Sequence, residues 1–143
     1  MDSVTRIIDD HIQIRLILDR LRAVAAAPLG TLSRSHWRRL LRHEVGLLSR
    51  KLVDHFDAEE RGGYMRRVIE RRPGLQHRVA ETLEDHTTIR NALEGLVAST
   101  REDRDLDATR AMLRETIRML AEHESAESEL MQEASQRDIG VGD

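Results

Sequence analysis

The chain predicts an all-α fold: an up-down-up-down four-helix bundle with an internal pseudo-two-fold repeat of helix pairs. Three observations predict it. Apolar residues recur at steps of three and four in four long segments, the period of one helix face. Only two prolines and eight glycines occur in 143 residues, and β-branched runs are few, a composition that favours helices over sheets. The chain also repeats itself. Asp10-His11-x-x-Ile14-Arg15-x-x-Leu18-x-x-Leu21 recurs as Asp85-His86-x-x-Ile89-Arg90-x-x-Leu93-x-x-Leu96, every position shifted by 75, and Leu52-x-x-His55-x-x-Ala58-Glu59 recurs as Leu120-x-x-His123-x-x-Ala126-Glu127, shifted by 68.

The first helix is expected over about 3–26, with Ile7, His11, Ile14, Leu18 and Leu21 on one face. Pro28 and Gly30 stop it, because proline lacks an amide hydrogen and glycine suits a helix end. A polar connector from Thr31 to Ser35 offers Ser33 or Ser35 as an N-cap. The second helix, about 35–61, carries Leu41, Val45, Leu48, Leu52, His55 and Glu59 along one stripe and should end at Gly62-Gly63. A short helix over about 64–72 would close at Pro73-Gly74. The third long helix, about 75–99, shows Val79, Leu83, His86, Ile89, Leu93 and Leu96. After a charged loop over 101–105, the fourth helix, about 106–136, is capped by Asp105 or Asp107 and aligns Leu113, Ile117, Leu120, His123, Glu127 and Leu130. Residues 139–143 read as a frayed tail. Short connections between amphipathic helices make antiparallel neighbours, hence the bundle.

Residues 1–143 are the size of one domain. With 2% aromatic residues, the core must be built from Leu, Ile, Val, Ala and Met. The absence of cysteine excludes disulfides, thiolate zinc sites, iron–sulfur clusters and thiol catalysis. A net charge of -3 gives no long-range reason to expect nucleic acid. No apolar run approaches a membrane span and the N-terminus lacks the pattern of a signal peptide, so a cytoplasmic protein with no membrane partner is expected. Lys51 is the only lysine among 23 basic residues, which reads as a bias toward arginine. The arginines at 38–39 and 66–72 read as solvated helix faces.

The chemistry is concentrated in two His-x-x-x-Glu motifs, His55–Glu59 and His123–Glu127. Four residues is slightly more than one helical turn, so each pair stacks on one face. Of seven histidines, His11, His55, His86 and His123 have apolar residues three before and three after, and sit in the seams. His36, His43 and His77 fall outside the stripes and are expected at the surface. Six buried polar groups left unpaired would cost several kcal/mol each, more than a marginally stable domain carries. The stripes provide no further polar partners for all of them, whereas a cationic centre would. Four imidazoles and two carboxylates without thiolate suit iron, manganese or zinc. Six ligands exceed the need of one four-coordinate zinc and fit two metals, each with two histidines and both glutamates bridging. The Glu-x-x-His signature of ferritin-like di-iron bundles is absent. Asp10 and Asp85 could hold the outer nitrogen of a metal-bound histidine on their own or a neighbouring helix.

With these motifs the chain resembles the hemerythrin-like (HHE cation-binding) domain family over residues 3–135. The resemblance is carried by His11, by His55-x-x-x-Glu59-Glu60, by Asp85-His86 and by His123-x-x-x-Glu127. It implies a bundle holding two iron ions in an oxo- or hydroxo-bridged di-iron centre, with His11 and His55 on one iron, His86 and His123 on the other, and Glu59 and Glu127 bridging. Oxygen-carrying members of that family have a fifth histidine four residues before the third-helix ligand; here that position is Thr82. His77 lies on the opposite face and cannot replace it. The second iron is therefore expected to have an extra open position, filled by water or approached by Tyr64, Glu60 or Glu81. That shifts the expected function from simple oxygen carriage toward peroxide or nitric oxide chemistry, oxygen reduction, or sensing. The expected function is a non-haem di-iron protein binding oxygen, peroxide or nitric oxide. Two other readings compete: a metal-dependent iron sensor or storage protein, and a metal-free helical interaction module.

Overall fold

Segments whose apolar residues recur with the helical period have one face to bury, and here they bury it against one another. A computed structural model of the chain describes residues 3–28, 33–101 and 105–140, with side chains over 5–28, 33–101 and 105–135. Helix α1 is Ser3–Ala26, α2 Arg34–Glu60, α3 Tyr64–Arg71, α4 Gln76–Arg101 and α5 Leu106–Gly140, with a 3-10 turn at Pro73–Leu75. The four long helices close a ring in which α1 packs on α2 and α5, and α4 on α5 and α2. This is the up-down-up-down bundle, and no strand occurs among the described residues. The Gly30 stop, Thr31 of the connector, residues 102–104 of the charged loop and residues 141–143 of the tail lie outside the described residues.

Local chemistry sets the helix ends. The Ser33 hydroxyl accepts the His36 amide at 3.1 Å, capping α2. Asp105 caps α5, its Oδ1 accepting the Asp107 amide at 3.0 Å. After α2, a Cβ on Gly62 would run into the Ala58 carbonyl oxygen, and Gly63 takes a left-handed φ of 79°. The turn therefore demands the glycine pair, and it redirects the chain into α3. Helix α5 continues through Gly140, beyond the expected end near 136.

Two apolar clusters fill the bundle. The larger runs from Trp37 and Leu41 through Ile14, Leu52, Ile89 and Leu120. The smaller joins Ile7, Tyr64, Met65, Val68, Leu75, Val79 and Leu130, so α3 roofs that end. Between them lies a layer of buried polar side chains: His11, His55, Glu59, His86, His123, Glu124 and Glu127.

Candidate metal centre

Each long helix delivers one imidazole to this layer. His11 sits between buried Ile7 and Ile14 on α1, and His55 follows Leu52 on α2. His86 lies between Val79 and Ile89 on α4, and His123 follows Leu120 on α5. Ile8, the apolar residue three before His11, is 49% exposed, so Ile7 and Ile14 form the seam there. His36, His43 and His77 are exposed.

The imidazoles form two similar pairs. His11 meets His55 edge-on at 4.8 Å between ring centroids, and His86 meets His123 edge-on at 5.1 Å. Their Nε2 atoms turn inward. Glu127 Oε1 lies 2.5 Å from His11 Nε2 and 3.2 Å from His55 Nε2, while Glu127 Oε2 lies 3.0 Å from His123 Nε2. Glu59 Oε1 lies 2.6 Å from His55 Nε2 and 3.8 Å from His86 Nε2. Several of these contacts are close without being hydrogen bonds. Both Glu59 oxygens, Glu127 Oε2, His86 Nε2 and His123 Nε2 are buried with no hydrogen-bond partner among the described residues. Lone pairs that converge without pairing are aimed at a shared point, which is the arrangement of ligands around a cation. The donor atoms fall into three buried groups within 4.8 Å of one another: His11, His55 and Glu124; His86, His123 and Glu127; and His55, Glu59 and Glu127 linking the two.

The stripes were expected to provide no further polar partners for all six groups; the outer nitrogens do find partners, among them Asp10 and Asp85. Every imidazole Nδ1 faces a carboxylate. Asp10 Oδ2 lies 3.3 Å from His55 Nδ1, and Asp85 Oδ2 lies 3.3 Å from His123 Nδ1. Glu60 Oε2 lies 3.2 Å from His86 Nδ1, and Glu124 Oε2 lies 3.6 Å from His11 Nδ1. Asp10 and Asp85 thus serve the neighbouring helix rather than their own. Such partners fix the ring orientation and raise ligand basicity. Lys51, the only lysine, holds the far side of Asp10 at 2.7 Å and so is part of the site's frame. Sequence reasoning missed Glu124 and the role of Lys51. Glu124 has Leu120 four residues before it and Ile117 seven before, so the wider helical period, read at steps of four and seven, carries the signal that it turns inward.

Without a cation, the cluster must balance its charge with protons. Burial opposes charge on His55, yet Glu127 and Glu59 push its pKa up to about 11. Burial, aided by Glu127 and opposed by His55, pushes Glu59 up to about 8. Burial also works on Glu127, but His11, His123 and His55 hold its carboxyl well below the usual range. Burial and the charge of His123 push His86 down to about 4. A divalent cation would replace these shared protons while satisfying the orphaned oxygens and nitrogens.

The two halves differ on their outer faces. Beside His86 the Phe56 ring stacks at 3.8 Å with a 12° tilt, the Arg90 guanidinium lies 5.2 Å from the Phe56 centroid, and Arg90 donates to Glu60 at 2.8 Å. In the repeat, Phe56 corresponds to Glu124 and Glu60 to Ser128. Both Glu124 oxygens are buried without a hydrogen bond. The His11 side opens on a cavity of about 800 Å³ that Tyr64, Ser128, Ile8 and Ile12 help to line. Thr82, where a fifth histidine would stand, is buried and donates its hydroxyl to the Arg78 carbonyl at 3.0 Å. Of the side chains expected near the open position, Glu60 is engaged by His86 and Arg90, and Glu81 is exposed and paired with His77 at 2.8 Å. Tyr64 is buried, and burial with the charges of Glu127 and Glu59 pushes its phenol up to about 12.

No curated protein and no solved structure matches the chain. The family model described as the hemerythrin HHE cation binding domain matches residues 2–134, nearly the whole length and the entire polar layer. The chain belongs to the hemerythrin HHE cation-binding family.

Proposed function

We propose that residues 1–143 form one hemerythrin-like domain holding two iron ions, and that it binds oxygen or a related small ligand, peroxide or nitric oxide, in oxygen or redox handling or in sensing. His11 and His55 would hold one iron and His86 and His123 the other, with Glu59 and Glu127 between them. The observation that supports this most directly is the set of buried, unpartnered Glu59, Glu127, His86 and His123 atoms converging between four helices. Nitrogen and oxygen donors without thiolate suit iron, and both halves share Glu127, as a two-metal site requires.

When bound, such a centre supplies reversible electron transfer and an open coordination position to a small ligand. The chain's own residues do the rest. Asp10, Lys51, Asp85 and Glu60 orient the imidazoles, keeping their Nε2 lone pairs inward. Phe56, Leu52 and Leu120 exclude water from the layer, which protects whatever is bound there. Tyr64, its phenol held protonated, borders the cavity through which a small ligand would reach His11. No helix among the described residues is long and apolar enough to cross a membrane, and a cytoplasmic setting with access to cellular reductants forms part of the proposal.

Elemental analysis of protein purified in air, read with its ultraviolet–visible spectrum, tests this. About two irons per chain, with charge-transfer absorption that peroxide or nitric oxide perturbs, is the expected result. Colourless, iron-free protein that takes up no ferrous iron under anaerobic conditions would overturn it.

A further inference from the structure

The repeat provides an internal control for the cavity beside His11. Arg90 corresponds to Arg15, His86 to His11 and Glu60 to Ser128. In the closed half, Arg90 and His86 share the Glu60 carboxylate, at 2.8 and 3.2 Å. In the open half the arginine and the histidine are present, but serine replaces the carboxylate. Among the described residues Arg15 makes no ion pair. Together with Arg67 and Arg71, it lines the cavity, whose described lining contains no carboxylate. The remaining wall is largely apolar: Ile8, Ile12, Val68, Met131 and Ala134. Ile8 and Ile12 are 49% and 51% exposed, two of the few large hydrophobic side chains among the described residues left open to solvent. A volume of about 800 Å³ lies within the range of ligand sites.

We propose that this cavity binds a free long-chain carboxylate. Its headgroup takes the place on Arg15 that Glu60 holds on Arg90, and its chain covers Ile8, Ile12, Val68 and Met131. Guanidinium pairs strongly and specifically with carboxylate, and an alkyl chain removes exposed apolar surface from water. The site is built from the chain's own side chains and does not depend on the identity of the metals, so it stands or falls separately from the di-iron reading.

Isothermal titration of the full-length protein as purified, and again after chelation, with dodecanoate below its micelle concentration tests the proposal. Saturable binding near one per chain is expected in both forms. Ser128→Glu, which supplies the carboxylate of the closed half, and Arg15→Ala should each weaken it by about tenfold or more, with metal content unchanged. Dodecanol should bind at least about tenfold more weakly than dodecanoate. Arg15 is exposed, so its variant keeps the test valid should Ser128→Glu fail to fold. The proposal is overturned by an absence of saturable binding, by affinity indifferent to Arg15→Ala, by dodecanol binding equally well, or by binding only to phosphatidylglycerol vesicles.

Discussion

The two halves of the polar layer hold the same inward residues and opposite outward ones. His86 and His123 lie behind Phe56, Arg90 and Glu60, a stack that closes their side. His11 and His55 group with Glu124, and His11 lines an open cavity together with Ser128. The inward residues answer to a common centre, so changing either half would spoil the donor set. The outward residues answer only to their local surroundings, so one half can serve as the frame and the other as the entrance. The missing fifth histidine at Thr82 directs attention to the His86 half, yet the large cavity opens on His11. Thr82 fills its place by bonding its own helix.

Breaking what the halves share should have the largest effect. Glu127 touches His11, His55 and His123. Glu127→Ala should therefore abolish metal binding in both halves, and should cost the metal-free fold about 3–5 kcal/mol by leaving buried imidazoles uncompensated. His11→Ala should lower bound metal by only about half. Metal analysis with denaturant titration reads both, and equal losses in the two variants would remove the distinction.

Opening the closed half comes next. Phe56 is fully buried and stacked on His86. Phe56→Ala should destabilise the fold by about 3–5 kcal/mol and make metal removal by a chelator markedly faster. Unchanged chelation kinetics would mean that Phe56 closes nothing.

Asp10 and Asp85 sharpen the comparison, because the repeat makes them equivalent while burial does not. Their side chains are 6% and 53% exposed. Asp10→Asn should weaken metal affinity by about 10–100-fold, and Asp85→Asn by only a few-fold, since water screens its contact. Competition with a chromophoric chelator would show the ranking, and a reversed order would refute it.

The smallest expected effect is that of pH. Glu59, raised to about 8, and His55, raised to about 11, hold protons more tightly in the metal-free fold than when unfolded. A group with a raised folded pKa loses its stabilising contribution as pH rises through that value. His86, lowered to about 4, acts in the opposite direction but only below its ordinary value near 6.5. Between pH 6.5 and 8 the metal-free protein should therefore lose a few degrees of Tm. The loaded protein, whose ligands are already deprotonated, should not. Parallel curves with and without chelator would contradict this.

The inward imidazoles were legible because position in an apolar stripe is visible in the spacing of neighbours. His55 with Leu52 and His123 with Leu120 needed no partner helix to be recognised. The helix stops at Gly62-Gly63 and Pro73-Gly74 were legible too, since backbone restriction is a property of the residue. Glu124 was less legible because Glu127 stands three residues after it, so its inward position shows only in Leu120 and Ile117, four and seven residues before. Lys51 escaped for a different reason: its meaning lies in Asp10 on another helix.

By itself the sequence determined the helical bundle, its two-fold repeat and the four imidazoles turned inward, because helical periodicity is a local property that each segment carries alone. Only the tertiary structure decided which carboxylate meets which outer nitrogen, and which half is open. Asp10 and His55 are separated by 45 residues, and Asp85 and His123 by 38. Those distances depend on how separate helices pack. Phe56 closing one side and Ser128 opening the other follow from the same packing.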